Sequence, residues 1–226
     1  MKYSYIDEMD VYNGPGVRVS LFVQGCQPHL NTSDNVSLND FNNGKEFDKV
    51  AEDEVLRLCG EKNISGLTIA GADPFDWVPH MLNYHKYYYQ KFYGIYNDYE
   101  NMPLCIVKRY YSLLSDDNLF EINPLFHLVK KFTVMHPHKD VWVYTKYHLN
   151  TLRIDTSEDK DVAIGSDICL SCIDVIVNGK YVKDGTEFDK RLLEADNNTY
   201  IDVYRSICEN KIITYDKYGD KYGRGI

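Results

Sequence analysis

The sequence predicts an α/β fold built on a parallel sheet. Short apolar runs that suit strands alternate along the chain with segments of helical period. The runs show little in–out alternation, as in Ile173-Asp174-Val175-Ile176-Val177, so they read as strands covered on both faces. The chain has 226 residues, 44% hydrophobic and 26% charged, which is enough for one domain with its own core.

The first expected strand is Val17–Gln24, which follows Asn13-Gly14-Pro15-Gly16 and ends at Gly25-Cys26. Beyond a polar stretch, residues 47–61 place Val50, Val55, Leu56 and Leu58 at spacings that suit an amphipathic helix. Residues 66–70, Gly-Leu-Thr-Ile-Ala, form a short buried strand. Residues 125–135 read as a helix, closed by Pro137. Residues 141–144 and 173–177 are the next strands. Strands separated by helices imply right-handed crossovers.

About seventy residues separate Gly71 from Val141, more than one helix needs. Within that interval, nine tyrosines and Phe92 fall between His80 and Tyr111. One reading is an extra helical layer, its rings packed on the core and its hydroxyls wet. The other is an interface, since tyrosine is enriched where proteins bind. Lys86, Lys91, Lys108 and Arg109 are too few and too balanced by acids for a nucleic-acid platform. Residues 211–226 show no clear period and read as an extension or docking arm.

A net charge of −9 argues against general nucleic-acid binding. No apolar run reaches the roughly 18 residues of a membrane span, and no signal-peptide pattern opens the chain. The six cysteines, at 26, 59, 105, 169, 172 and 208, read as reduced thiols of a cytoplasmic protein.

Five pieces in order carry a family resemblance. They are Asn13-Gly14-Pro15-Gly16 with Gln24-Gly25-Cys26; Asn42-Asn43-Gly44-Lys45-Glu46-Phe47; Gly71-Ala72-Asp73-Pro74; Lys139-Asp140-Val141-Trp142-Val143-Tyr144-Thr145-Lys146-Tyr147; and Ile173-Asp174-Val175-Ile176-Val177-Asn178-Gly179-Lys180-Tyr181. Together they resemble the radical S-adenosylmethionine (SAM) activating-protein family, above all the activating proteins of anaerobic ribonucleotide reductase. The resemblance implies a single-domain partial (βα) barrel over residues 1–226, with a tyrosine-rich helical insertion at about 80–122 and an extension at about 209–226.

In that family the first strand ends in Cys-x3-Cys-x2-Cys, whose thiolates hold a [4Fe-4S] cluster and leave one iron open to SAM. Here Cys26 takes the first position, while Leu30 and Ser33 take the others. Leucine cannot ligate iron, and a hydroxyl is a hard substitute for a soft sulfur. Asp34 stands where the family has an aromatic residue near the SAM adenine. Ala72 replaces the second glycine of the SAM amino-group motif, and Lys146 the glycine of Thr-Gly-Tyr. The family's late Arg-Gly-Ser-Ser-Asn-Gln corresponds to residues 193–198.

The expectation is therefore a binding protein without cofactor or catalytic residues. Cys26, Leu30 and Ser33 are vestigial cluster positions, and Asp34, Asn35, Gly71, Ala72, Asp73, Pro74, Thr145 and Asn197 a vestigial SAM or nucleotide pocket. The partner is a protein, or a second copy, at the tyrosine-rich insertion, or a nucleotide at the strand ends. The alternative is a working activase with atypical cluster ligation, cleaving SAM to a radical that takes hydrogen from a glycine of the reductase. A third reading is a structural or assembly protein. For metal, Cys26 and His29 are the pair placed to act together, with Asp34 and Asp73 nearby. Cys169-Leu-Ser-Cys172 has metal-type spacing but precedes its strand, roughly 15 Å from the opposite ends where α/β sites form.

Overall fold

The chain opens with a hairpin that the periodicity does not announce. β1 (Lys2–Asp10) runs antiparallel to β2 (Val17–Gln24), with Lys2 opposite Gln24 and Asp10 opposite Arg18. The computed structural model describes residues 1–26, 40–77, 115–153, 155–158, 160–178 and 199–214. After the hairpin come β3 (Lys45–Glu46), α1 (Lys49–Cys59), β4 (Ile64–Gly71) and a 3-10 turn at Pro74–Asp76. Then follow α2 (Asp116–Ile122), α3 (Pro124–Met135), β5 (Asp140–Thr145) and α4 (Leu149–Leu152). The last elements are α5 (Lys160–Leu170), β6 (Val175–Asn178), β7 (Thr199–Asp202) and α6 (Val203–Glu209).

The strands form one open seven-stranded sheet in the order β3-β1-β2-β4-β5-β6-β7. Its centre, β2-β4-β5-β6, is parallel as expected, but β1, β3 and β7 are antiparallel and make the sheet mixed. Val19, Leu21 and Val23 of β2, Leu67 and Ile69 of β4, and Val141 and Val143 of β5 share one core with Val55, Leu128, Val129 and Phe132 of α1 and α3. The alternate residues Phe22, Ala70, Trp142, Tyr144, Val175 and Val177, with Tyr200, form a second buried cluster. Burial on both faces explains the weak alternation in these strands.

Local chemistry sets the helix ends. Asp48 caps α1 by accepting from the Ala51 amide at 2.9 Å. Asn123 caps α3 by accepting from the Phe126 amide at 3.0 Å, with Pro124 in the first turn. At the amino ends of the strands lies Arg18, fully buried. Its Nε donates to Thr68 Oγ1 at 2.7 Å and its guanidinium also donates to Asp140 Oδ1 at 2.7 Å and to the Leu67 carbonyl at 2.9 Å. One side chain thus joins β2, β4 and β5. Gly14, at φ +138°, leaves room for it, since a Cβ there would meet Arg18 Cδ at 2.6 Å.

The tyrosine-rich residues 80–111 lie outside the described residues. Of the interval to 122, α2 is described, and it buries Leu119 and Ile122.

Candidate functional site

Four parallel strands deliver their following residues to one end of the sheet, the usual place for a site in an α/β fold. β2 leads to Cys26, β4 to Gly71–Asp73, β5 to Thr145–Tyr147, and β6 ends at Asn178.

Gly25 turns the chain at φ +88°. A Cβ there would meet Phe41 Cα at 2.9 Å, so the backbone passes tightly beneath that residue. The Trp77 indole N–H donates to the Gln24 carbonyl at 2.8 Å, and its ring meets Phe41 edge-on at 4.9 Å. Cys26 emerges half-buried. Burial pushes its thiol up, partly offset by a hydrogen bond from the Asp73 backbone and by the charge of Lys146.

The next loop is held from below. Gly71 has φ +91°, and a Cβ would come within 2.6 Å of the Val23 carbonyl. That carbonyl accepts from the Ala72 amide at 2.9 Å. Ala72 is not among the positive-φ residues. Its methyl therefore sits on ordinary backbone. Residue 72 is not a position where backbone conformation calls for glycine.

Asp73 ties β4 to β5. Its Oδ1 accepts from the Phe75 amide at 3.0 Å, capping the 3-10 turn. Its Oδ2 accepts from Thr145 Oγ1 and from the Lys146 amide, both at 2.8 Å. Burial and the neighbouring Asp76 push the Asp73 carboxyl up to about 7, against the pull of Lys146 and these hydrogen bonds.

Asp76 is fully buried and twice satisfied. Lys146 Nζ pairs with its Oδ2 at 2.5 Å, and Tyr147 OH donates to its Oδ1 at 2.6 Å. The same ammonium lies 4.9 Å from the Tyr147 ring centroid. Asn178 Nδ2 donates to the Tyr147 carbonyl at 2.8 Å and fixes the β5 end against β6.

The structure thus brings Cys26, Gly71, Ala72, Asp73, Pro74 and Thr145 to one strand-end site. Leu30, Ser33, Asp34, Asn35, His29 and Asn197 lie outside the described residues. Cys169 and Cys172 stand at the opposite end, where Asp174 accepts from the amide that begins β5's Val141. Among the described residues, no three His, Cys, Asp or Glu side chains gather as a metal site. Sequence reasoning missed Asp76, Trp77, Tyr147 and Asn178, and saw Lys146 as a lost glycine. The Asp73-x-x-Asp76 spacing, which places both acids in one turn, was the available signal.

Chemically, the site offers one soft sulfur, an Asp76 side chain paired with the Lys146 ammonium, and an Asp73 carboxyl pushed up to about 7.

Residues 12–100 and 108–201 match the family of 4Fe-4S single cluster domains. The chain belongs to that family. It is also 26% identical over 186 residues to the anaerobic ribonucleoside-triphosphate reductase-activating protein of Escherichia coli (strain K12), covering 81% of this chain and 87% of the relative. The protein of that name from Vibrio cholerae is 25% identical over 186 residues, 81% of this chain and 86% of the relative. That from Enterobacteria phage T4 is 27% identical over 184 residues, 81% of this chain and 83% of the relative.

Membership of the 4Fe-4S single cluster family overturns the expectation of a protein without cofactor: the family points to a [4Fe-4S] cluster. The residues fit that cluster at one position. Cys26 presents a half-buried sulfur at the strand end, whereas the other two positions of the thiolate pattern carry Leu30 and Ser33. A complete ligand set has to draw on groups beyond the pattern. No helix among the described residues is long and apolar enough to cross a membrane.

Proposed function

We propose that this chain activates a glycyl radical enzyme of the anaerobic ribonucleotide reductase type, with an iron–sulfur cluster held at Cys26 and by ligands outside Cys-x3-Cys-x2-Cys. One observation carries most of the weight. The cysteine that matches the pattern stands at the carboxyl end of β2 with the Asp73 backbone hydrogen-bonded to its sulfur, within a family match that runs through both halves of the chain. The cluster, with SAM, would supply the one-electron chemistry that starts a radical.

The chain's own residues prepare the ground. Trp77 and Phe41 clamp the backbone before Cys26 and shield it from water. Asp73 holds the Gly71–Pro74 loop against Thr145. The buried acids at 73 and 76 give the pocket a preference for an amino group, with Lys146 limiting the excess negative charge. On this reading the sheet curves as a partial (βα) barrel, the partner protein docks at the tyrosine-rich block, and the chain works in the cytoplasm.

The test is anaerobic reconstitution with iron and sulfide of the wild type and of Cys26→Ala. The wild type should bind about four irons per chain, as a [4Fe-4S] centre requires, and the variant should bind none stoichiometrically. Colourless, iron-free wild type would sink the proposal. Iron retained in full by the variant would remove Cys26 from the site.

A further inference from the structure

Cys169 and Cys172 lie at the end of α5 remote from Cys26. The Cys172 amide donates to the Cys169 carbonyl at 2.9 Å, closing a one-turn loop after the helix. Residues related by such a turn have Cα atoms within about 7 Å, and disulfides form at about 4.4–6.8 Å. The two thiols differ in access. Cys169 is fully buried, donates to the Gly165 carbonyl at 3.2 Å and faces Asn123 Nδ2 at 3.9 Å. Cys172 is partly exposed, with Ser171 Oγ at 3.6 Å from its sulfur. The Cys172 thiol lies close enough to add to the upward push on Cys169, which burial dominates. An accessible sulfur beside a buried one is the arrangement of an attacking and a resolving thiol.

We propose that Cys169 and Cys172 form a thiol–disulfide exchange site that reacts with low-molecular-weight disulfides of the glutathione class. The Cys172 thiolate attacks one sulfur of the disulfide, forms a mixed disulfide and expels one thiolate, which takes up a proton. The Cys169 thiolate then attacks Cys172 Sγ, forms the internal disulfide and expels the second thiol. Two protein thiols are oxidised and one disulfide is reduced to two thiols. Burial pushes both protein thiols up. The attacking thiolate is therefore scarce at neutral pH, and exchange accelerates as pH rises. Basic thiols are also poor leaving groups, so the internal disulfide resists reduction once formed and the dithiol is a strong reductant. This site is independent of the activating role and of any cluster.

The test uses the reduced full chain in mixtures of oxidised and reduced glutathione, quenched by alkylation and mapped by peptide mass. The wild type should form the 169–172 disulfide, two hydrogens lighter, without accumulating glutathione at either residue. Cys169→Ser should trap glutathione on Cys172, while Cys172→Ser should leave Cys169 unmodified in the folded protein. The wild-type map needs no variant to fold. Residues 169 and 172 remaining fully alkylatable at every glutathione ratio would overturn the proposal, as would Cys172 staying unmodified in a folded Cys169→Ser chain.

Discussion

Lys146→Met isolates the electrostatics of the site. The substitution keeps the length and apolar stem of the side chain and removes the ammonium that meets Asp76 at 2.5 Å. Asp76 is fully buried, whereas the Lys146 side chain is 21% exposed. Removing one partner of a buried pair costs about 3–5 kcal/mol, because the other charge stays desolvated. Two features reduce that figure here. Tyr147 OH still donates to Asp76 at 2.6 Å, and the lysine gains some hydration when the protein unfolds. A loss of about 2–3 kcal/mol follows, or a fall in melting temperature of roughly 2–4 °C per kcal/mol for a chain of this size. Denaturant unfolding by circular dichroism, read as midpoint and slope, measures it. Lys146→Met/Asp76→Asn should recover at least half of the loss, because the stranded charge is then gone. A single variant within about 0.5 kcal/mol of wild type would refute the reasoning, as would a double variant no more stable than the single.

Three other outcomes follow from the same geometry. Asp73 has its folded pKa raised to about 7 by burial and Asp76, so the folded state holds a proton that the unfolded chain has already released. Its contribution to stability is fully present below the unfolded value near 4 and falls as pH rises towards 7, by up to about 1.4 kcal/mol per unit; Asp73→Asn should flatten that slope in a pH series of unfolding midpoints. Gly71→Ala places a Cβ 2.6 Å from the Val23 carbonyl at φ +91° and should cost about 1–3 kcal/mol, whereas Ala72→Gly, on ordinary backbone, should cost no more than about 1 kcal/mol; equal losses in thermal melts would contradict the assignment of the conformational requirement to residue 71. Tyr144 buries a hydroxyl with no hydrogen-bond partner among the described residues, so Tyr144→Phe should be neutral or up to about 1 kcal/mol stabilising. A clear drop in melting temperature would mean that the hydroxyl has a partner after all.

The parallel centre of the sheet was legible because apolar runs buried on both faces leave a period-free signature. The strand expected at Val17–Gln24 has those bounds in the structure, and the helix expected at 125–135 begins one residue earlier, at Pro124. The antiparallel elements were not legible. β1 reads Lys-Tyr-Ser-Tyr-Ile-Asp-Glu-Met-Asp, with Tyr5, Glu8 and Met9 exposed and Asp10 buried, a pattern without clean period-2 alternation, and pairing with β2 makes it a strand. α5 carries Gly165 in its interior, which masks a helix whose stability comes from packing. Buried charges escaped for the same reason. Glu52 lies in the buried face of α1, where His127 Nδ1 meets it at 2.5 Å and Lys131 Nζ at 3.2 Å, and no local pattern marks partners 75 and 79 residues away.

At the site, the departures from the family pattern differ in setting. Ala72 stands where backbone conformation does not call for glycine. Lys146 stands where a glycine is replaced without a left-handed backbone, and its ammonium pairs with the fully buried Asp76. The Lys146–Asp76 pair has a stability reason of its own, since removing either partner leaves the other charge desolvated. Leu30 and Ser33 differ in kind, because no rearrangement of backbone turns a leucine into an iron ligand. On the proposed activating role, the chemistry turns on what completes the ligand set around Cys26. Iron content with and without that thiol bears on the question more directly than any further count of matching residues.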